Sequence, residues 1–246
     1  MIVAAALCPC PPLLARELTG QEEVLPELRA ACAAAVARLF AAEPDVLVVA
    51  GPDDQTGTWP PDGRLDFAAY APAVARRLAS SEAPWPALGT GALAAARRPA
   101  LPLSLGMGAL LLDEAGYAGP RAFHGIDAAA TPDECRALGR QFAASAQRVA
   151  LLAMGDGSAR RSTSAPGYLD ERAAPFDSAV ERAVREGDLA ALASLDPGLA
   201  ADLLAIGRPA WQALAGAMMP SRVETEVLYC EAPLGVSYLV ATLIPN

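Results

Sequence analysis

The sequence predicts an α/β fold in which a central mixed β-sheet is flanked by helices. Three observations carry that expectation. Short continuous apolar runs alternate with stretches of helical periodicity over the first two thirds of the chain. Each run ends in a cluster of Gly, Pro and Asp, the punctuation of strand-end turns. A helix-rich block follows, and then two strand-like runs close the chain, so some strands pair antiparallel.

Taken in order, Ile2–Leu7 is a buried strand ending at Cys8-Pro9-Cys10-Pro11-Pro12. Residues 22–42 carry Val24, Leu28, Cys32, Val36, Leu39 and Phe40 at helical spacing, and Pro44-Asp45 stops the helix. Val46–Ala50 is a second buried strand, closed by Gly51-Pro52-Asp53-Asp54, and a polar loop runs from there to about Asp66. Residues 69–79 read as a helix, Leu101–Leu105 as a strand, Gly108–Ala115 as a helix, and Arg121–Ile126 as a strand holding His124. Thr131-Pro132-Asp133-Glu134 is a helix start, with an N-cap, proline at N1 and acids in the first turn, and that helix is expected to reach about Ala146. Val149–Met154 is a buried strand broken by Gly155-Asp156-Gly157-Ser158, and 159–172 is a loop. Helices are expected near 175–186, 188–194, 197–206 and 208–217, and strands at 222–230 and 235–244. With no repeat and no linker-like break, residues 1–246 read as one domain.

Composition removes several functions. The 246 residues carry 19 basic and 28 acidic side chains, a net charge of −9, and every basic residue is an arginine. An acidic chain without a basic block does not bind nucleic acid, whose phosphates need clustered cations. No lysine means no Schiff base and no phosphate-loop lysine, so Gly155-Asp156-Gly157 is not such a loop. One histidine excludes any metal site that needs two imidazoles. Five cysteines without framework spacing suggest a reducing compartment. The N-terminus lacks the basic region of a signal peptide, and no apolar run reaches the ~20 residues of a membrane helix. A cytoplasmic protein without a membrane partner is the expectation.

Ligands of open α/β sheets bind at the carboxyl ends of strands. Four segments would meet there: Cys8–Pro12, Gly51–Asp54, Gly155–Arg161 and Glu231–Gly235. Their polar groups are Cys10, Asp53, Asp54, Asp156, Ser158, Arg160, Arg161 and Glu231. Strand-end loops of any α/β protein are rich in such residues, so this set reads either as a cleft or as ordinary loop chemistry. Cys8 reads as a small core filler, and Trp59 and Trp85 as packing residues. Arg160 and Arg161 read as a bidentate anion site, as a solvated loop, or as ion-pair partners of Asp170 and Glu171. His124 reads as a structural residue or a catalytic one.

In this order the segments resemble the class III extradiol ring-cleavage dioxygenase B-subunit superfamily, the LigB-type fold, which includes Memo-like proteins. The resemblance rests on Leu7-Cys8-Pro9-Cys10-Pro11-Pro12-Leu13-Leu14, Val48-Val49-Ala50-Gly51-Pro52-Asp53, Met154-Gly155-Asp156-Gly157-Ser158-Ala159 and Glu231-Ala232-Pro233-Leu234-Gly235-Val236-Ser237-Tyr238. Pro175-Phe176-Asp177, Gly187-Asp188 and Leu195-Asp196-Pro197 are similar to the helical block of Memo-like relatives.

The resemblance implies a sheet flanked by helices. In active members it also implies ferrous iron held by two histidines and one carboxylate, with a further histidine moving protons. Here the iron-histidine positions fall on Cys10 and Asp53, the proton-handling position on Ala159, and only Glu231 keeps its type. Ala159 transfers no proton, and losing a general acid or base costs roughly 10²–10⁴-fold. The expectation is therefore a non-catalytic small-molecule-binding or regulatory protein without a cofactor. Its ligand, small or anionic, would sit near Asp156, Ser158, Arg160 and Arg161. The alternative is an enzyme of altered chemistry, with Cys10 and His124 as catalytic candidates, or with Cys10, Asp53 and Glu231 holding a divalent metal such as zinc. A third reading, a structural partner subunit, predicts a large apolar surface patch or an obligate oligomer, such as a homo-oligomer.

Overall fold

The computed structural model describes residues 1–19, 22–66 and 99–246. The apolar runs become strands because their alternate residues can be buried on two faces at once. In chain order the elements are β1 (Ile2–Cys8), the single turn α1 (Arg16–Thr19), α2 (Pro26–Ala41), β2 (Val46–Asp53), β3 (Gly57–Trp59), β4 (Arg64–Leu65) and β5 (Ala100–Leu101). Next come α3 (Leu103–Glu114), β6 (Arg121–Asp127), α4 (Pro132–Ala144) and β7 (Val149–Met154). The chain closes with α5 (Ala173–Glu186), α6 (Leu189–Ala193), α7 (Pro197–Asp202), α8 (Arg208–Met218), β8 (Val223–Glu231) and β9 (Tyr238–Pro245).

Seven strands form one sheet in the order β3-β6-β2-β7-β1-β9-β8. The central four, β6, β2, β7 and β1, are parallel, while β3, β9 and β8 pair antiparallel with their neighbours. All six residues of β7 are buried. Its side chains alternate between two cores: Val149, Leu151 and Ala153 face one, and Ala150, Leu152 and Met154 face the other. The first core is completed by α4, α5 and α8 through Phe142, Val180 and Trp211, and the second by α2 and α3 through Leu28, Val36 and Leu112.

The predicted N-cap is present: the Thr131 side chain accepts from the Glu134 N–H while Glu134 reaches back to the Thr131 N–H, a closed capping box. The Asp188 and Asp196 side chains cap α6 and α7 by accepting the Ala191 and Leu199 N–H, without the reciprocal bond. Three readings differ from the structure: the segment read as a polar loop to about Asp66 holds β3 and β4, α2 starts later, and Leu101–Leu105 changes type. Leu101–Leu105 is not a strand: pairing stops at Leu101, and Pro102 caps a helix that starts at Leu103. Eight residues of α3 between Ser104 and Leu112 are buried, and an all-round apolar helix has no polar face to reveal its period. Pro26, at the first turn, delays α2, which was expected from residue 22. The helix read over 69–79 and Trp85 lie outside the described residues.

Helices α4 and α8 pack backbone against backbone. A Cβ at Gly139 would collide with the Ala213 carbonyl, and one at Gly216 would lie 2.5 Å from the Arg136 backbone. Neither neighbour can yield, because each is main chain inside a helix. Gly139→Ala is therefore expected to cost at least about 3 kcal/mol of unfolding free energy in urea titrations. Gly57→Ala, where a Cβ meets nothing within 4 Å, should shift stability by less than about 0.5 kcal/mol.

Candidate functional site

The ends of β1 and β7 lie side by side, with Cys8 opposite Met154. The Gly155 N–H then donates to the Cys8 carbonyl at 2.9 Å, and the Gly207 N–H donates to the Asp156 carbonyl at 2.9 Å. Gly155 has φ +152°, and a Cβ there would strike Gly207 Cα, so only glycine lets the two loops touch. This contact turns Asp156 back over the β1 end. Its Oδ1 accepts the Cys10 N–H at 2.7 Å.

Cys10, Asp156 and Tyr238 form one cluster. Burial pushes the Cys10 thiol well above its ordinary range, and the Asp156 carboxylate beside it pushes it further. Burial raises the Asp156 carboxyl to about 6, opposed by its hydrogen bonds from Cys10. Burial also lifts the Tyr238 hydroxyl, and the charges of Asp156 and Cys10 add to that. Cys10 is 1% exposed. A buried thiol kept protonated by a neighbouring carboxylate is a poor nucleophile and a poor metal ligand, since both roles need the thiolate.

Ser158 and Arg161 are spent in the same way. Ser158 is buried, and both its N–H (2.9 Å) and its Oγ–H (2.5 Å) donate to the Asp177 carboxylate from α5. Arg161 donates to the same carboxylate at 3.1 Å. The Ser158 carbonyl accepts the Ser237 N–H at 2.8 Å, and the Gly157 N–H donates to the Ser237 carbonyl at 2.8 Å, tying the loop to the start of β9. Burial raises the Asp177 carboxyl, and the bonds from Ser158 and Arg161 hold it back. Arg161 is therefore an ion-pair partner of Asp177, not of Asp170 or Glu171. Arg160 lies near Asp170, whose carboxyl is held down to about 2, chiefly by hydrogen bonds from Arg172. The buried Arg160 Nε has no partner among the described residues.

The expected metal set does not assemble. Asp53 Oδ2 accepts the Trp59 Nε1–H at 2.8 Å and Oδ1 accepts the Asp54 N–H at 2.8 Å, so its carboxylate fastens β3 to β2. The Asp53 side chain lies over Gly125 of β6. Glu231 is exposed at the end of the edge strand β8, 3.5 Å from the Tyr229 hydroxyl. Four strand spacings separate β2 from β8, or roughly 19 Å at ~4.8 Å per strand, against the ~2.3 Å that binds donors to one cation. No group of three His, Cys, Asp or Glu side chains among the described residues is placed to hold a metal ion. The residues present do not fit the iron that the resemblance implies.

His124 is equally remote from Cys10. It sits on β6, three strands from β1. Its ring packs 4.7 Å from Phe142 in the α4-side core, while Cys10 lies in the opposite core. Burial lowers its pKa. It is not gathered with Cys10 into a catalytic pair.

Sequence reasoning missed Asp177 as an anchor, because nothing local marks a helical aspartate as the acceptor for a loop 19 residues earlier. It also missed Arg208, a guanidinium 2% exposed at the first turn of α8. Arg208 donates to the carbonyls of Ala128 and Ala130 and, at 3.0 Å, to Gln212 Oε1. Gln212 in turn donates to the carbonyls of Ala193 and Leu195.

A space of about 400 Å³ opens at the end of β6 beside Thr56, Asp127 and Glu134, and a larger one lies in the helical block. A groove of about 590 Å³ runs between α5, α6 and α7, within the ~300–1,000 Å³ usual for ligand sites. Pro175, Phe176, Ala179, Leu195 and Leu199 supply apolar walls, and the exposed side chains of Glu171, Arg172 and Asp196 stand at its edge.

No protein-family model and no curated protein matches the sequence. Among solved structures, the chain is similar to the crystal structure of the uncharacterized protein JW3007 from Escherichia coli K12. The TM-score is 0.55 with 16% identity, and the match covers 98% of this chain and 99% of that one. This likeness establishes a shared fold. No helix among the described residues is long and apolar enough to cross a membrane.

Two outcomes follow from the closed network. Asp177→Ala would leave the Ser158 N–H and hydroxyl buried without acceptors and should cost about 2–4 kcal/mol in chemical denaturation. Asp156 gives a pH signature. Its folded pKa of about 6 lies above the ordinary 3.8, so the native state holds the proton longer and stability falls as pH rises from about 4 to 6. Asp177, also raised, acts in the same direction. Asp156→Asn keeps the acceptor for Cys10. Its stability relative to wild type should rise by about 1–3 kcal/mol between about pH 4 and pH 7.5, measured by urea denaturation at both.

Proposed function

We propose that this protein is a non-catalytic small-molecule-binding protein on a LigB-type α/β scaffold, with its ligand in the groove between α5, α6 and α7. One observation carries the reading: the polar groups at the strand ends are bonded to one another. Asp156 takes the Cys10 N–H, Asp177 takes Ser158 and Arg161, and Asp53 takes Trp59. Groups so engaged are not free to hold a substrate, and those left over are scattered across the sheet. Ring cleavage would need imidazoles on a common metal, and the one histidine packs against Phe142 on the other face. Thiol chemistry would need a depressed cysteine pKa, and that of Cys10 is raised. The groove, by contrast, has the volume and apolar walls of a ligand site. Five free cysteines are in keeping with a cytoplasmic location for such a binder.

Fragment screening by amide chemical-shift mapping tests the reading. Small apolar fragments are expected to shift resonances of α5–α7. The shifts should persist in Cys10→Ser and Asp156→Asn and vanish in Ala179→Trp, which fills the groove. Stoichiometric ferrous iron binding under anaerobic loading, followed by oxygen uptake on catechol, would overturn it.

A further inference from the structure

Resting on that reading of the groove, we infer that its ligand is an apolar cation, an aromatic or aliphatic ammonium compound. The apolar walls of Pro175, Phe176, Ala179, Leu195 and Leu199 accept a hydrocarbon body. The edge supplies the sign. Glu171 is exposed and has no hydrogen-bond or ion-pair partner among the described residues. Asp196 uses one carboxylate oxygen to cap α7 and keeps the other open.

The cation at the edge is already neutralised. Arg172 grips Asp170 through Nε and Nη2 at 3.1 and 2.8 Å, and reaches Asp202 through Nη1 at 3.1 Å. Arg160 also faces Asp170 electrostatically. Of the residues that line the groove, Glu171 and Asp196 are carboxylates and Arg172 is the guanidinium. An anion entering here would meet the carboxylates of Glu171 and Asp196 and a guanidinium already held by Asp170 and Asp202. A cation would meet Glu171 and Asp196 at the end of an apolar trough. The chain's net charge of −9 adds a long-range field of the same preference, and without lysine no flexible ammonium of the protein's own can fold over the groove.

Phenethylammonium, phenethyl alcohol and phenylacetate share one apolar body and differ in charge, so calorimetric titration with the three separates the groove from its sign preference. Phenethylammonium should bind wild type about 5-fold more tightly than the alcohol, with phenylacetate weakest, the increment of roughly one exposed charge pair. Glu171→Gln, an exposed change that does not touch the core, should cut that advantage to about 2-fold while leaving the alcohol's affinity unchanged. Ala179→Trp, checked for folding by its melting transition, should remove binding of all three. Equal or tighter binding of the alcohol or phenylacetate overturns the cation inference and leaves the groove reading standing. Failure of all three to bind wild type, or unaltered binding to Ala179→Trp, overturns both.

Discussion

The buried carboxylate of Asp177 is the constraint on which the strand-end architecture depends. It is 6% exposed and accepts three donors from the loop that follows β7. A carboxylate removed from water needs nearly all of its lone pairs satisfied, and here the satisfying groups come from a single turn, Ser158–Arg161. That requirement presses the loop against α5. The Ser158 and Ser237 backbone bonds then carry the same restraint across to β9. Gly157 lies so close to Ser237 and Asp177, 2.8 and 2.9 Å from a would-be Cβ, that no larger residue fits between them. The loop that would open a cleft in an α/β protein is here a structural joint.

The same logic repeats at each neighbouring position. Asp156 faces the Cys10 backbone, and its carboxyl, raised to about 6 by burial, depresses any tendency of the thiol to ionise. Asp53 is occupied by the indole of Trp59 and by its own neighbour's N–H. On the helical side, Arg208 and Gln212 form a second buried network, joining α8 to the turn before α4 and to the segment between α6 and α7. This network holds the end of α6 and the segment after it against α8. The larger groove lies instead in the helical block, with apolar walls and the exposed carboxylates of Glu171 and Asp196 at its edge.

Much of the fold was legible because periodicity and capping are local. The continuous apolar run of Val149–Met154, the capping box at Thr131 and Glu134, and Pro197 behind Asp196 all declared their elements. The failures were local too. Leu101–Leu105 read as a strand because a helix buried nearly all round shows no polar face, and Pro102, read as a residue within the strand, is the cap that turns the chain. The candidate site was less legible. Cys10 and Asp156 were rightly placed at one end of the sheet, as were Ser158 and Arg161, since a parallel β1–β7 pair dictates that. Which of them would be free was hidden, because freedom depends on acceptors supplied from distant segments.

By itself the sequence determined the class of fold, the order of most elements, and the absence of any two-imidazole chemistry: one histidine and no lysine are facts of composition that no packing can change. Only the tertiary structure decided that Asp53 and Glu231 lie four strands apart, that His124 is on the far face from Cys10, and that Asp177 closes the loop. The physical reason is range. Periodicity, caps and turns act over a few residues, whereas strand order and the pairing of a buried carboxylate with its donors are settled by which distant surfaces can be desolvated together without leaving a charge unpaired.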